Sequence, residues 1–164
     1  MRWRMILVTT FVALFAPCSI GAELSAACKP LLAAMEKTLQ TDHATVTTRG
    51  TQTVHGVTAG GISYLQFGGV WKKSPMTPQE NIQQSRENLK NAKSYACKPL
   101  PDSMVGDGAV ANFATHTDGE AAVIDNTISI DKRTGLAVTV VTDMKEGNMH
   151  LVTQYSYGSI KPPM

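Results

Sequence analysis

The chain has 164 residues, 43% hydrophobic and 17% charged, enough for one domain around one core. Its formal charge is +2 at pH 7, and Arg2 and Arg4 account for all of it, so the remainder is neutral. That balance gives no electrostatic case for nucleic acid or for a polybasic membrane-surface patch.

Residues 1–22, MRWRMILVTTFVALFAPCSIGA, have the layout of a secretory signal peptide. Two arginines precede an apolar stretch of about a dozen residues, Pro17 breaks it, and small residues lead to a cut after Ala22. The stretch falls short of the roughly 20 apolar residues that span a bilayer. The expected mature chain is therefore one domain, residues 23–164, in the periplasm, with no transmembrane segment. The alternative is a lipid anchor on Cys18, which Pro17 and Phe15 disfavour, since small residues and leucine are usual there. Cleavage would leave Cys28 and Cys97, two thiols in an oxidising compartment, for which a disulfide is the default. Closing that loop is worth roughly 4 kcal/mol on chain entropy. Two separate buried thiols are the other reading.

Leu24, Ala27, Leu31, Met35 and Leu39 recur at helical spacing, opposite Lys29, Glu36, Lys37 and Gln40, and predict a helix over 24–40. Pro30 suits a first turn and moves its start toward Ala27. Residues 44–54 are rich in β-branched side chains and predict a strand, 55–61 a turn, and 62–67 a second strand. Gly68-Gly69 reads as a bend or bulge, with 70–73 a short continuation. Thr77-Pro78-Gln79-Glu80 opens a helix expected to reach Lys93: threonine caps it, proline takes its first position, and glutamate follows three after the cap. Ile82, Leu89 and Ala92 give that helix a narrow apolar face, so it reads as a lid or flank, with Cys97 just past its end.

From Gly106 the chain reads as an antiparallel meander, with strands over 108–117, 120–131, 136–143 and 148–158 joined by short polar turns. Ile124, Ile128 and Ile130 alternate with Asp125, Thr127 and Ser129, which makes one face apolar and one wet. Two helices are available to cover such a sheet. The predicted class is α+β: a curved antiparallel sheet, a half-open barrel, with two helices over its concave side.

No catalytic constellation stands out. His43, His55, His116 and His150 lack metal-ligand spacing, His116 with His150 being the one interstrand pair to consider. There is no G-x-S-x-G, no phosphate loop and no calcium-loop spacing. Asp102, Asp107, Asp118, Asp143 and Glu146 sit at turns, where carboxylates cap and solvate. The expectation is a non-enzymatic protein without a cofactor. Candidate ligand contacts are Met35 and Leu39 on the first helix, Arg49, Tyr64, Phe67 and Trp71 in the first strands, and Ile128 and Tyr155 in the meander. Three have plainer readings: Trp71 as a sheet-edge anchor, Arg49 as a solvated strand charge, and Met35, like Met76, Met104, Met144 and Met149, as ordinary core filling rather than lining of an adaptable apolar cavity.

Residues 128–136, I-S-I-D-K-R-T-G-L, followed by a long strand, a Gly-Asn turn and Tyr155-Ser-Tyr157-Gly-Ser-Ile160, carry a resemblance. They are similar to the I-D-K-x-T-G-L-P … Y-x-Y-x-x-I ending of the periplasmic outer-membrane lipoprotein carrier-like (LolA-like) proteins. The aromatic strand from Ile62 through glycine to Trp71 fits their N-terminal half. The resemblance implies a half-open antiparallel barrel with helices in its mouth, and carriage of acyl chains or other apolar ligands between membranes. The chain departs from the pattern at Ala137, where proline is usual, and no motif places a ligand-contacting arginine on Arg49. The function expected is a periplasmic carrier of a lipid or acyl ligand. The alternative is an envelope protein-interaction module or secreted inhibitor with no cavity.

Overall fold

The computed structural model describes residue 26 and residues 29–163. The expected leader (residues 1–22, with Cys18) and Cys28 lie outside the described residues, as does the start of the expected first helix. Chain order is α1 (Lys29–Gln40), β1 (His43–Arg49), β2 (Gln52–Ala59), β3 (Ile62–Phe67), β4 (Val70–Lys73), α2 (Pro78–Asn91), β5 (Ser94–Val105), β6 (Gly108–Asp118), β7 (Val123–Asp131), β8 (Ala137–Met144) and β9 (Met149–Ser156). The strands form one antiparallel sheet in the order β4-β3-β2-β1-β9-β8-β7-β6-β5. It is curved and not closed into a barrel. Two meanders join where β1 pairs with β9, Thr45 opposite Tyr155, and α2 connects the two outermost strands.

The expected strand over 44–54 is a hairpin. Gly50 takes the left-handed φ of +56° that lets the chain reverse between Arg49 and Gln52, inside a run of β-branched residues that otherwise reads as continuous. The expected turn over 55–61 is mostly β2. Gly56 is a strand residue there because a Cβ would sit 2.4 Å from Thr45 Oγ1 on the neighbouring strand. Residues 70–73 do not continue β3 but fold back on it, with Val70 opposite Phe67. The chain after α2 forms β5, so Cys97, just past the helix end, is a strand residue. Pro99 and Pro101 obscured this strand. They are tolerated because β5 is an edge with an irregular register between Leu100 and Ser103. α2 carries the expected capping box: Thr77 N–H donates to Glu80 Oε2 at 2.7 Å, and Glu80 N–H donates to Thr77 Oγ1 at 3.2 Å.

α1 packs on the sheet through Leu31, which is 1% exposed, against Ile128, Ile130 and Ala137, with Ala34, Met35, Cys97, Phe113, Val140 and Tyr155 around them. Burying a leucine of this kind contributes about 1.5–3 kcal/mol. The last turns of α1 are fixed by polar groups. Fully buried Thr38 accepts at Oγ1 from the Ala137 N–H at 2.8 Å, Tyr157 Oη donates to the Ala137 carbonyl, and Lys37 Nζ donates to the Thr134 carbonyl at 2.7 Å.

Thr38→Val should leave the Ala137 amide buried and unpaired, lowering stability by about 1–3 kcal/mol in urea denaturation. Burial pushes the Tyr157 phenol up to about 12 from 10.0, with a hydrogen bond from Thr38 opposing and Tyr155 adding to the rise. The folded state then keeps a proton that the unfolded chain releases above pH 10, so this stabilisation is complete below pH 10 and is lost as pH climbs through 12. The melting temperature should fall across that window, and Tyr157→Phe should flatten the fall in part. Burial raises Tyr95 and Tyr155 as well, so the remainder should persist.

Candidate functional site

A cavity of about 280 Å³ lies between the two helices and the β5–β7 part of the sheet. α1 presents Leu31, Met35 and Leu39 to it at successive four-residue steps, with Glu36 at the side. α2 presents Ile82, Arg86 and Leu89, again at helical spacing, and Ile82 is its buried anchor at 4% exposure. The sheet contributes Tyr95, Thr115, Thr117, Ile124, Asn126 and Ile128. Register explains this set: Thr115 pairs with Asn126, Thr117 with Ile124 and Phe113 with Ile128, so these side chains share one face.

The walls are mainly apolar, with Ser85 and Asn88 of α2 among them, and the Asn126 amide of the floor is paired on both sides. Asn126 Nδ2 donates to Thr115 Oγ1 at 3.2 Å, and Asn126 Oδ1 accepts from Thr142 Oγ1 at 2.7 Å. Among the described residues, no buried side-chain nitrogen or oxygen lacks a partner. Charge is confined to the rim, where Arg86 makes a bidentate pair with Glu36 across the two helices, Nε to Oε1 at 2.7 Å and Nη2 to Oε2 at 2.8 Å. Arg86 holds the Glu36 carboxyl below its ordinary value, chiefly by this hydrogen bond, with burial opposing and the guanidinium charge adding a lesser lowering.

Of the residues singled out in the sequence, Met35, Leu39 and Ile128 come together at this cavity. Tyr155 belongs to the adjoining core, its ring centroid 5.5 Å from that of His43. Arg49 is exposed at the far end of β1, beside Gln52 and His150. Register puts Tyr64 and Trp71 on the face opposite the helices. Phe67 is on the helix-bearing face but away from the cavity, 52% exposed, next to Leu65 and Val70. Ile82 and Leu89 belong to the apolar face expected of this helix, whereas Arg86 is not among the candidates, although positions 82, 86 and 89 fall on one helical face.

A second hollow of about 440 Å³ runs along β5–β8, where Lys98, His116, Asp125, Thr127 and Asp143 line it from the opposite face. His116 pairs with Asp125 at 2.6 Å rather than with His150, which pairs with Asp143 at 2.7 Å, and both pairs are open to solvent. Among the described residues, no three histidine, cysteine or carboxylate side chains are placed to hold a metal ion. The depressed carboxylates at caps and turns have structural causes. Thr77 backbone and side chain lower Glu80, Thr134 and then Arg133 lower Asp131, and the Val123 amide lowers Glu146.

The chain is similar in fold to MucB. The structure of MucB in complex with MucA(peri) matches with a TM-score of 0.51 and 13% identity, covering 84% of this chain and 57% of that one. The chain thus spans little more than half the length of MucB. The Mycobacterium tuberculosis lipoprotein LppX gives a TM-score of 0.44 at 8% identity, over 82% of this chain and 96% of that one. A putative outer membrane lipoprotein-sorting protein domain from Vibrio parahaemolyticus gives 0.28 at 8% identity, over 82% and 93%. No family model and no curated protein matches the sequence. The curved open sheet with helices on one face is the fold that the LolA-like resemblance implies. Among the described residues, no helix is long and apolar enough to cross a membrane.

Proposed function

We propose that the protein is a non-enzymatic periplasmic carrier that shelters the apolar chain of a lipid or acyl ligand between α1, α2 and β5–β7. The observation that carries this reading is the cavity itself: leucine, isoleucine and methionine side chains from both helices face a floor in which the Asn126 amide is paired with Thr115 and Thr142. Such a site needs no chemistry. Each buried methylene contributes about 0.8 kcal/mol, so shape and apolar area suffice for useful affinity. Met35, Leu39 and Ile128 are the ligand contacts in this reading. Export rests on the leader-like residues 1–22, with lipidation at Cys18 the alternative. A Cys28–Cys97 bridge would tie the start of α1 to β5, where Cys97 packs beside Leu31.

A second reading, an interface for an envelope protein, is supported by the exposed Leu65, Phe67 and Val70, which share the helix-bearing face of β3 and β4. MucB, similar in fold, has been solved in complex with MucA(peri).

Protein purified from its own periplasm should release acyl species on extraction and bind a fluorescent fatty acid. Met35→Trp should fill the cavity and weaken that binding at least about tenfold, the loss of two buried methylenes, with the far-ultraviolet spectrum unchanged. An empty preparation that binds no fatty acid, and that shows one stoichiometric protein partner by native mass spectrometry, would replace the carrier reading with the second. Cys97→Ser should lower stability by up to about 4 kcal/mol in non-reducing denaturation, and added reductant should lower the wild type but not the variant.

A further inference from the structure

The cavity's rim carries one cation and one anion among the described residues that line it, Arg86 and Glu36, and they are paired with each other. Arg86 stands on α2 four residues after the buried Ile82, so its guanidinium lies at the border between apolar interior and water, with 67% of its side chain exposed. Glu36 follows Met35, a wall residue of α1. A chain laid along Met35 and Ile82 therefore ends beside this pair. The partner that the guanidinium fork already holds is a carboxylate in bidentate geometry, which an arginine recognises through two parallel N–H···O bonds.

Resting on the carrier reading above, we propose that the ligand is a single-chain amphiphile with a carboxylate head, which displaces Glu36 from Arg86 and so loosens the α1–α2 clamp as it binds. The exchange replaces one carboxylate by another on the same fork, while Glu36, already partly exposed, turns to water. A neutral head offers no such exchange and has to leave the pair intact. Selectivity for an anion thus comes from Arg86, and Glu36 is its built-in competitor.

The test compares palmitate with the uncharged monopalmitoylglycerol, by calorimetry at low ionic strength with the carboxylate ionised, in the wild type, Arg86→Gln and Glu36→Gln. Both substitutions remove the interhelix pair, so any effect of a looser clamp is common to them, and circular dichroism checks that α2 is retained. Arg86→Gln should lower the palmitate-to-monoglyceride affinity ratio by about fivefold to tenfold. Glu36→Gln should raise the ratio, since the competitor is gone and the cation remains. A ratio that neither substitution moves, with both probes bound, overturns carboxylate recognition and leaves the carrier reading standing. A ratio that moves the same way in both variants overturns it too, because the clamp and not the charge would then be responsible. Binding of neither probe overturns the carrier reading and this inference with it.

Discussion

α2 has to carry the chain from β4 to β5, and these are the two edges of the sheet. A 14-residue helix is about 21 Å long, whereas eight interstrand spacings of a flat sheet come to about 38 Å. Short linkers and the curl of the sheet make up the difference. The connection is thus drawn across one face instead of running beside it, and the cavity is the space left beneath it. A sheet whose edges were joined by a long loop would have no roof there.

α1 is held differently. Its anchor converges on Ala137, which is fully buried, donates its N–H to Thr38 and accepts at its carbonyl from Tyr157. This is the position where the LolA-like pattern has proline, a residue with no N–H to give. The departure therefore has a structural counterpart: alanine here supplies the donor that closes the last turns of α1 onto β8. Tyr157, from the same sequence pattern, supplies the other half of the anchor.

The meander from β6 to β9, α2 with its cap, and the side of the sheet that is apolar were all legible, because alternation and capping are local signals. The first hairpin was not, since a single glycine turns an otherwise unbroken β-branched run. β5 was hidden by two prolines that an interior strand would not accept, and its status as an edge depends on the whole topology. The same division holds at the site. Met35, Leu39 and Ile128 lie on apolar stripes visible in sequence. Arg86 reaches the cavity only because α2 docks through Ile82, and pairing between residues 36 and 86 is a property of the packed helices. The aromatic candidates are placed elsewhere: Tyr64 and Trp71 lie across the sheet from the helices, and Phe67 lies away from the cavity.

The capping box closes the N-terminus of α2 with the helix's own Thr77 and Glu80, and pairs such as Gln83 with Glu87 and Gln84 with Asn88 brace it from within. Little of its hydrogen bonding depends on the sheet. On the carrier reading, α2 would lift and reseat as an intact rod, so the kinetic barrier to loading and unloading would be that of separating Ile82 and the rim from their seats, with no melting and regrowth of helical turns. In that reading, exchange of the ligand is set by docking strength, a quantity that single substitutions on one face can tune without touching the fold.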